Sequence, residues 1–599
     1  MQKEIRFIKR IDDIVKTDPN KTALVYNDGE NKLSYKELDN LSSFVASKLI
    51  NQGIKPGDRI VVMMERNHFS IAMEIGVLKA GAVFIPVVPS YPKERIDYIY
   101  KDSSAKLLID KTFFDGYELF INKFDIVEPN FNMVSIIYTS GSTGYPKGVV
   151  YDLDAYNATT ERLKEFYEGL EDINFASFAP MGFVAHLLEY AAIFNLGGTI
   201  HILSDALRVD VYKLRDYYLN NKISACFVSP TLFKLIDKRL PDLKRVIFAG
   251  EKVTDFNPDG YDIRLGYGQT EALHLAMYKI DSPKKEAFVG KASPNTEILI
   301  LDENGNDVGY MKEGEICAIG VFPKQYLNLK EASEKTFKIL DNGKVLVHTG
   351  DIGKRHPDQT IEYINRKDFM IKINGSKVDP SEIERVVKSI DNISNCIVKP
   401  FEKDNGHVYL CAFYTANQDI NNSEIKSNLE SKLPHYMIPS YFVHLDKMPL
   451  NSNGKIDRSQ LLAPSESNIN DNYVAPTTEL EKKVCNIISK MLMVNQVGVN
   501  DNFFSLGGDS LQVAQLTCEL AKENLGIIEA TQVYENPVIS DLVKCILNCN
   551  LVGNADYTVV KKGKSNTLPL VLFHTANMGI TQSYNKLIKS SLKALPLKD

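Results

Sequence analysis

Two runs of residues in this chain have the types and spacing to do chemistry. The first is Tyr138-Thr-Ser-Gly-Ser-Thr-Gly-Tyr-Pro-Lys-Gly148, directly after the strand-like Met133-Val-Ser-Ile-Ile137. Glycines and small hydroxyl residues let backbone amides approach phosphate oxygens, and Lys147 adds a compact positive charge. A loop of this kind suits a polyphosphate. It is not a Walker loop, because the GxxxxGK[ST] spacing is absent. The second run is Asp501-Asn-Phe-Phe-Ser-Leu-Gly-Gly-Asp-Ser-Leu511. Its Ser510 opens an amphipathic stretch to Glu523, so the hydroxyl belongs at a helix N-terminus, where a phosphodiester is favoured.

These runs need a frame. From about residue 20 to 365 short β-branched runs such as RIVVMME, KLLID, ISACFVSP and RVIFAG alternate with helix-like segments. That alternation predicts parallel strands with crossover helices. After Asp368 the units shrink, with FMIKING, SNCIVKPF and HVYLCAFYT as strands around the helix-like SEIERVVKSI and SEIKSNLESKL, which reads as a small α+β domain. Residues 461–478 form a Pro-, Ser- and Asn-rich linker. From Glu479 to about Asn548 the period turns helical, as in a small bundle. The expected domains are 1–367, 368–462, 475–548 and a final 567–599.

Composition narrows the class. The chain has 599 residues, a net charge of -6 and 44% hydrophobic residues, ordinary for a globular protein of about four units. The charge is spread without a basic stripe, so nucleic acid is not an expected partner. The eight cysteines show no CxxC pairing and no adjoining His ligands in sequence, and are expected to be mostly buried thiols in a reducing compartment, the cytoplasm. No signal peptide or membrane span is expected.

The phosphate loop resembles that of the adenylate-forming superfamily: acyl-CoA synthetases, luciferases and nonribosomal peptide synthetase adenylation domains. The resemblance runs from about residue 20 to 460. Leu33-Ser-Tyr-Lys-Glu-Leu38 and Leu78-Lys-Ala-Gly-Ala-Val-Phe-Ile-Pro86 look like its early structural motifs. It implies an α/β fold with a large N-terminal adenylate-forming domain, a small α+β C-terminal subdomain and then a four-helix-type carrier domain. It also implies roles. Thr139, Ser140, Gly141, Ser142, Thr143, Gly144 and Lys147 would bind ATP phosphates, together with Thr270 of Gly268-Gln-Thr-Glu271. Glu271 would help to hold Mg2+, Tyr267 would lie near adenine, and Asp351 of His348-Thr-Gly-Asp351 would accept from the ribose hydroxyls. Arg366 would contact the nucleotide, Asp368 would be the hinge, and Lys455 of Asn451-Ser-Asn-Gly-Lys-Ile-Asp-Arg458 would be the catalytic lysine.

Taken singly, an Asp after Thr-Gly is usually a cap and a Lys after Asn-Gly a solvated loop charge. In register they match one reaction. Attack of a carboxylate on the ATP α-phosphate builds negative charge that Mg2+, Lys455 and loop donors can neutralise. No general base is needed, because a carboxylate is ionised near neutral pH. The second run resembles the carrier motif in which the Ser after Gly-Gly-Asp, here Ser510, takes a 4'-phosphopantetheine arm. A phosphopantetheinyl transferase is then an implied partner.

Two features depart from the family. Where peptide synthetases place an Asp for the substrate α-ammonium, the chain has Val184. Burying an ammonium there without a partner costs on the order of several kcal/mol. The aligned pocket is Val184, Ala185, Leu188, Thr231, Ile247, Ala249, Gly266, His274 and Leu275, largely apolar, which suits an α-keto, aryl or alkyl acid. Glu189 lies in the same stretch and is expected to face elsewhere. Finally, Leu568-Pro-Leu-Val-Leu-Phe-His574 is similar to the opening strand of an α/β-hydrolase thioesterase, but no Gly-x-Ser-x-Gly elbow follows. An incomplete thioesterase start is expected: either the chain is a fragment of a longer adenylation-thiolation-thioesterase protein, or the reading frame ends early and release depends on another protein, a separate thioesterase or a downstream synthase.

The order of parts together with Val184 resembles single-module synthetases that activate aryl α-keto acids. The expected function is activation of a non-amino carboxylic acid as acyl-AMP and its transfer to the arm on Ser510. The alternatives are a conventional amino-acid module, a catalytically silent carrier or docking protein, and a free-standing acyl-CoA ligase, which the fused carrier domain disfavours.

Overall fold

The computed structural model describes residues 4–553 apart from 116–132, 141–144, 237–239, 251, 368–370, 374–375, 403–407, 419, 450–455, 457, 464–472, 493, 495, 505, 507, 509 and 527. The expected hinge Asp368, catalytic Lys455, loop residues Gly141, Ser142, Thr143 and Gly144, and segment 567–599 therefore lie outside the described residues. The chain divides into two compact units, Met1–Asn470 and Asp471–Asp599.

Two sheets organise the first unit. One runs in the order Leu107–Ile109, Arg59–Met63, Val83–Val87, Ser135–Thr139, Lys147–Tyr151, parallel until the last pair. The larger sheet begins as expected, with Thr199–Ile202, Asn174–Ser177, Ala225–Phe227, Arg245–Ala249 and Ile263–Gln269 as parallel neighbours. Beyond Gln269 the expectation of parallel strands with crossovers fails. Ala272–Ile280, Phe288–Ala292, Ile361–Arg366, Val345–Arg355, Glu313–Gly320 and Glu297–Leu301 are antiparallel neighbours. Antiparallel pairs need only short connections, and a one-sided sheet reads as strict alternation. The Val345–Arg355 strand does so, burying Val345, Val347, Thr349, Asp351 and Gly353 on one face.

Local signals set the framework. In the Leu33–Leu38 motif Ser34 and Glu37 form a reciprocal capping box that starts the helix Tyr35–Asn51. Lys79 of the Leu78–Pro86 motif is buried at the end of the helix His68–Lys79. Its Nζ lies 2.6 Å from Asp39 Oδ1 and donates to Ser42 and Ser43 Oγ, which makes burial of the charge tolerable.

The small subdomain is a sheet of Ile393–Glu402, Val408–Ala416 and Tyr441–His444. One face, through Cys396, Val398 and Leu410, packs on Ile383, Val386 and Val387 of the helix Pro380–Lys388 and on Ile425 and Leu429 of Asn422–Glu430. The other face, through Ile397, Cys411 and Phe413, packs on Leu461 and Ile456. Alternate residues of one strand thus serve two cores.

Among the described residues, the second unit contains four helices, Glu479–Leu492, Ser510–Lys522, Ala530–Glu535 and Ile539–Gly553. Ser510 is the first residue of its helix, as expected. Phe503 is fully buried, and a methyl on Gly508 would stand 2.3 Å from its ring. The Phe and Gly positions of the motif are therefore one packing unit. All seven described cysteines are free thiols and six are buried. Among the described residues no helix is long and apolar enough to cross a membrane.

Candidate active site

Asp351 stands opposite Arg366 in the register of the strands Val345–Arg355 and Ile361–Arg366. Arg366 Nη1 donates to its Oδ1 at 2.6 Å and Tyr267 Oη to its Oδ2 at 2.6 Å. The carboxylate and the phenol are buried. Burial, and then the Asp351 charge, push the Tyr267 phenol well above its ordinary pKa, so it stays a donor. Thr349 Oγ1 orients the strand by donating to Ile316 O at 2.6 Å while accepting from Asp351 N. The result is an oriented anionic acceptor suited to a diol.

The strands Ser135–Thr139 and Lys147–Tyr151, on either side of the phosphate-loop run, are antiparallel, and Thr139 pairs with Lys147. Thr139, Ser140 and Lys147 are buried at the base of the run. Lys147 Nζ lies 4.7 Å above the ring of Tyr326, whose Oη donates to Glu271 Oε1 at 2.7 Å. Tyr151, on the hairpin strand, donates to Thr270 O at 2.7 Å. Lys147, Thr270 and Glu271, far apart in sequence, are thus tied into one group. A buried carboxylate oriented by a phenol is a hard oxygen donor of the kind Mg2+ takes, so the residues present fit that ion. Sequence reasoning missed Tyr326, a lone aromatic in an aperiodic stretch.

The expected acid pocket comes from several elements. Val184 and Ala185 are half-buried beside the short helix His186–Glu189, which carries buried Leu188. Thr231 is the second residue of the helix Pro230–Ile236. Ala249, two residues after Ile247, pairs with Gly266. His274 and Leu275 lie on the next strand. A methyl on Gly266 would stand 2.4 Å from Phe166 Cζ, and the same ring packs 4.2 Å from the His274 ring. His274 Nε2 is 2.8 Å from Glu165 Oε2. Burial holds the imidazole pKa below its ordinary value against the pull of Glu165. Phe166 and Glu165 were not legible as neighbours of this group.

Glu189 does face elsewhere. It accepts from Ser177 Oγ at 2.7 Å and from Phe178 N and Ala179 N at 2.7 and 2.8 Å. Strand pairing also produces a cluster that sequence spacing hid: His348 Nδ1 lies 3.4 Å from Cys317 Sγ and 3.3 Å from Glu315 Oε2. Cys317 and His348, 31 residues apart in sequence, are register partners on neighbouring strands.

This geometry can be compared with known proteins. The AMP-binding enzyme family matches residues 11–119 and 122–322, its C-terminal domain matches 382–455, and the phosphopantetheine attachment site matches 482–546. The chain belongs to the AMP-binding enzyme family. Among relatives, it is 32% identical to bacitracin synthase 1 of Bacillus licheniformis over 551 residues, which are 88% of this chain and 10% of that protein. It is 31% identical to tyrocidine synthase 2 of Brevibacillus parabrevis, over 87% of this chain and 15% of that protein. The chain thus spans only a small part of the curated relatives that it matches. A solved nonribosomal peptide synthetase protein containing adenylation and PCP domains shares its fold, with a TM-score of 0.76 and 21% identity over 91% of this chain and 96% of the other. A four-domain nonribosomal peptide synthetase bound to AMP and glycine matches at 25% identity and a TM-score of 0.54, over 92% of this chain and 43% of that one. The expected order of large adenylate-forming domain, small subdomain and carrier domain is the order these matches give.

Proposed function

We propose that the chain activates a small carboxylic acid without an α-amino group and loads it onto phosphopantetheine on Ser510. In the first step the carboxylate oxygen attacks the ATP α-phosphorus, the bond to the bridging oxygen breaks and pyrophosphate leaves. In the second, an arm attached at Ser510 would supply the thiol that takes the acyl group in thioester linkage, with AMP as the leaving group. Asp351, held by Tyr267 and Arg366, would accept from the ribose hydroxyls. The base of the phosphate hairpin, with Lys147, would sit against the polyphosphate. Mg2+ bound at Glu271 would neutralise charge that grows on the phosphates. Lys455, Asp368, Gly141, Ser142, Thr143 and Gly144 keep the roles that their motifs imply, within domains at 1–367, 368–462 and 475–548. A phosphopantetheinyl transferase would be a partner.

The observation that carries the acid class is Val184 together with Glu189. The position that would meet an α-ammonium is an isopropyl group, and the carboxylate five residues on is committed to Ser177, Phe178 and Ala179. An amino-acid substrate would leave its ammonium desolvated. A second reading, a conventional amino-acid module, is favoured by the relatives named for bacitracin and tyrocidine. Pyrophosphate exchange across a panel of α-keto acids, aryl acids and amino acids separates the two. Exchange driven by acids lacking the amine supports the first reading, and strong exchange with a standard amino acid overturns it.

A further inference from the structure

Near Asp351, on the same pair of strands, stands a set of side chains that the proposed reaction does not use. Glu315 and Cys317 lie on alternate positions of the strand Glu313–Gly320, and Cys317 is the register partner of His348 on Val345–Arg355. Their ligand atoms all lie within 4.8 Å of one another, and among the described residues no other three His, Cys, Asp or Glu side chains form such a group. His348 Nδ1 faces Cys317 Sγ at 3.4 Å and Glu315 Oε2 at 3.3 Å. A ring nitrogen carries either one proton or one lone pair, so it cannot serve both partners fully. As a donor to Glu315 it leaves the buried thiol without an acceptor. As an acceptor from the thiol it sets a lone pair against a carboxylate. A cation between the three removes the conflict. Glu315 is already oriented for it, because Oε1 accepts from Gly350 N at 3.0 Å and Oε2 turns to His348.

The distances match a metal centre. In a tetrahedral zinc site, bonds of about 2.3 Å to sulfur and about 2.0 Å to nitrogen and oxygen put sulfur about 3.5 Å from nitrogen and nitrogen about 3.3 Å from oxygen. We propose that Glu315, Cys317 and His348 bind one Zn2+ ion through Oε2, Sγ and Nδ1, with water as the fourth ligand and the thiol proton released to solvent. Thiolate and imidazole donors favour such a borderline-soft cation over Mg2+, which takes oxygen ligands, so the site differs in chemistry from Glu271. The thiolate and the carboxylate balance the charge of the ion. Cys317 is fully buried, whereas 33% of the His348 side chain is exposed, so solvent reaches the cluster from the imidazole side. Lys367 Nζ lies 3.8 Å from Glu315 Oε2 on a side chain 57% exposed. It is the charge that Zn2+ displaces, and it can swing into water. The Oε1 bond to Gly350 N holds the carboxylate in place as the ion binds, as groups behind metal ligands do elsewhere.

The test uses the full chain, freed of metal with a chelator and titrated with Zn2+ by calorimetry in the presence of excess Mg2+. The expected result is one equivalent of Zn2+ bound, which Mg2+ does not displace. Cys317→Ser and His348→Gln should each weaken binding by about a hundredfold or more, and Glu315→Gln by about tenfold. Cys545→Ser, which removes a half-buried thiol outside the cluster, should bind as the wild type does. Co2+ is the second probe. With it the wild-type chain should develop thiolate-to-cobalt charge-transfer absorption in the near ultraviolet and the visible bands of a tetrahedral ion, and Cys317→Ser should lose the charge-transfer band. The wild-type spectrum does not depend on how well any variant folds. Failure to bind an equivalent of Zn2+, or binding that excess Mg2+ removes, overturns the site. So does binding that survives both Cys317→Ser and His348→Gln, or a Co2+ complex without the thiolate band. In each of those cases the three side chains are a hydrogen-bonded group and nothing more. None of these readings depends on which acid the chain activates.

Discussion

Asp351 and Arg366 face each other across paired antiparallel strands, with the guanidinium Nη1 2.6 Å from the carboxylate. Both side chains are at least nine-tenths buried. The pair holds an acceptor in one orientation before any nucleotide arrives. Asp351→Asn keeps the shape but removes the charge, so the ribose subsite weakens and Arg366 is left uncompensated. The expected loss in nucleotide binding is roughly 2–3 kcal/mol, a rise in Kd of about 30- to 150-fold, read by calorimetric titration of AMP. A lowered Tm should accompany it. Unchanged binding would show that the clamp is structural only.

Tyr326 is expected to matter through Glu271. Tyr326→Phe removes the phenol that donates to Glu271 Oε1, at a cost of about 1–3 kcal/mol for a carboxylate left short of a buried donor. Pyrophosphate exchange measured against Mg2+ concentration should show a raised half-saturation, with ATP saturation at high Mg2+ little changed. Equal Mg2+ curves for variant and wild type would remove Tyr326 from the group.

Val184→Asp supplies the carboxylate that an α-ammonium needs. The variant should gain exchange with α-amino acids and lose it with α-keto acids, a reversal no general destabilisation produces. Loss with every acid, in a chain that still binds AMP, would place Val184 away from the substrate.

Acid should destabilise the fold through His201. Burial lowers its pKa to about 4 from the ordinary 6.5, and its Nδ1 lies 3.0 Å from Tyr217 Oη. The unfolded state therefore binds the proton first. Stability is whole above pH 6.5 and falls as pH drops from 6.5 towards 4, by about 1.4 kcal/mol at pH 5.5. His201→Asn should narrow the Tm gap between pH 7.5 and 5.5. A gap as wide as that of the wild type would contradict this sign.

Legibility in the sequence followed the range of the cause. Short-range signals worked: the Ser34–Glu37 cap, the strand at Arg59–Met63, the helix at Glu479–Leu492 and the start of the Ser510 helix all lie where periodicity and motif put them. The residues of the nucleotide group came from motif register, and the fold brings Tyr267, Asp351 and Arg366 together. Long-range pairing was hidden. The antiparallel half of the large sheet, the Tyr326–Glu271 bond, the Glu165–His274 pair and the buried Arg95–Glu382 ion pair all join residues at least 50 positions apart or on elements whose order in the sheet no local pattern specifies. Glu189 shows the intermediate case. A carboxylate ten to twelve residues from its donors was legible as a candidate, but only the fold shows its oxygens spent on backbone amides and a hydroxyl.

The most direct measurement is the intact mass of the pantetheinylated chain after incubation with ATP, Mg2+ and a panel of acids, with Ser510→Ala as control. An acyl mass from an acid lacking an α-amine, dependent on ATP and absent in the control, is the expected result. A chain loaded only by α-amino acids, or one that carries the arm yet takes no acid from a broad panel, would contradict it.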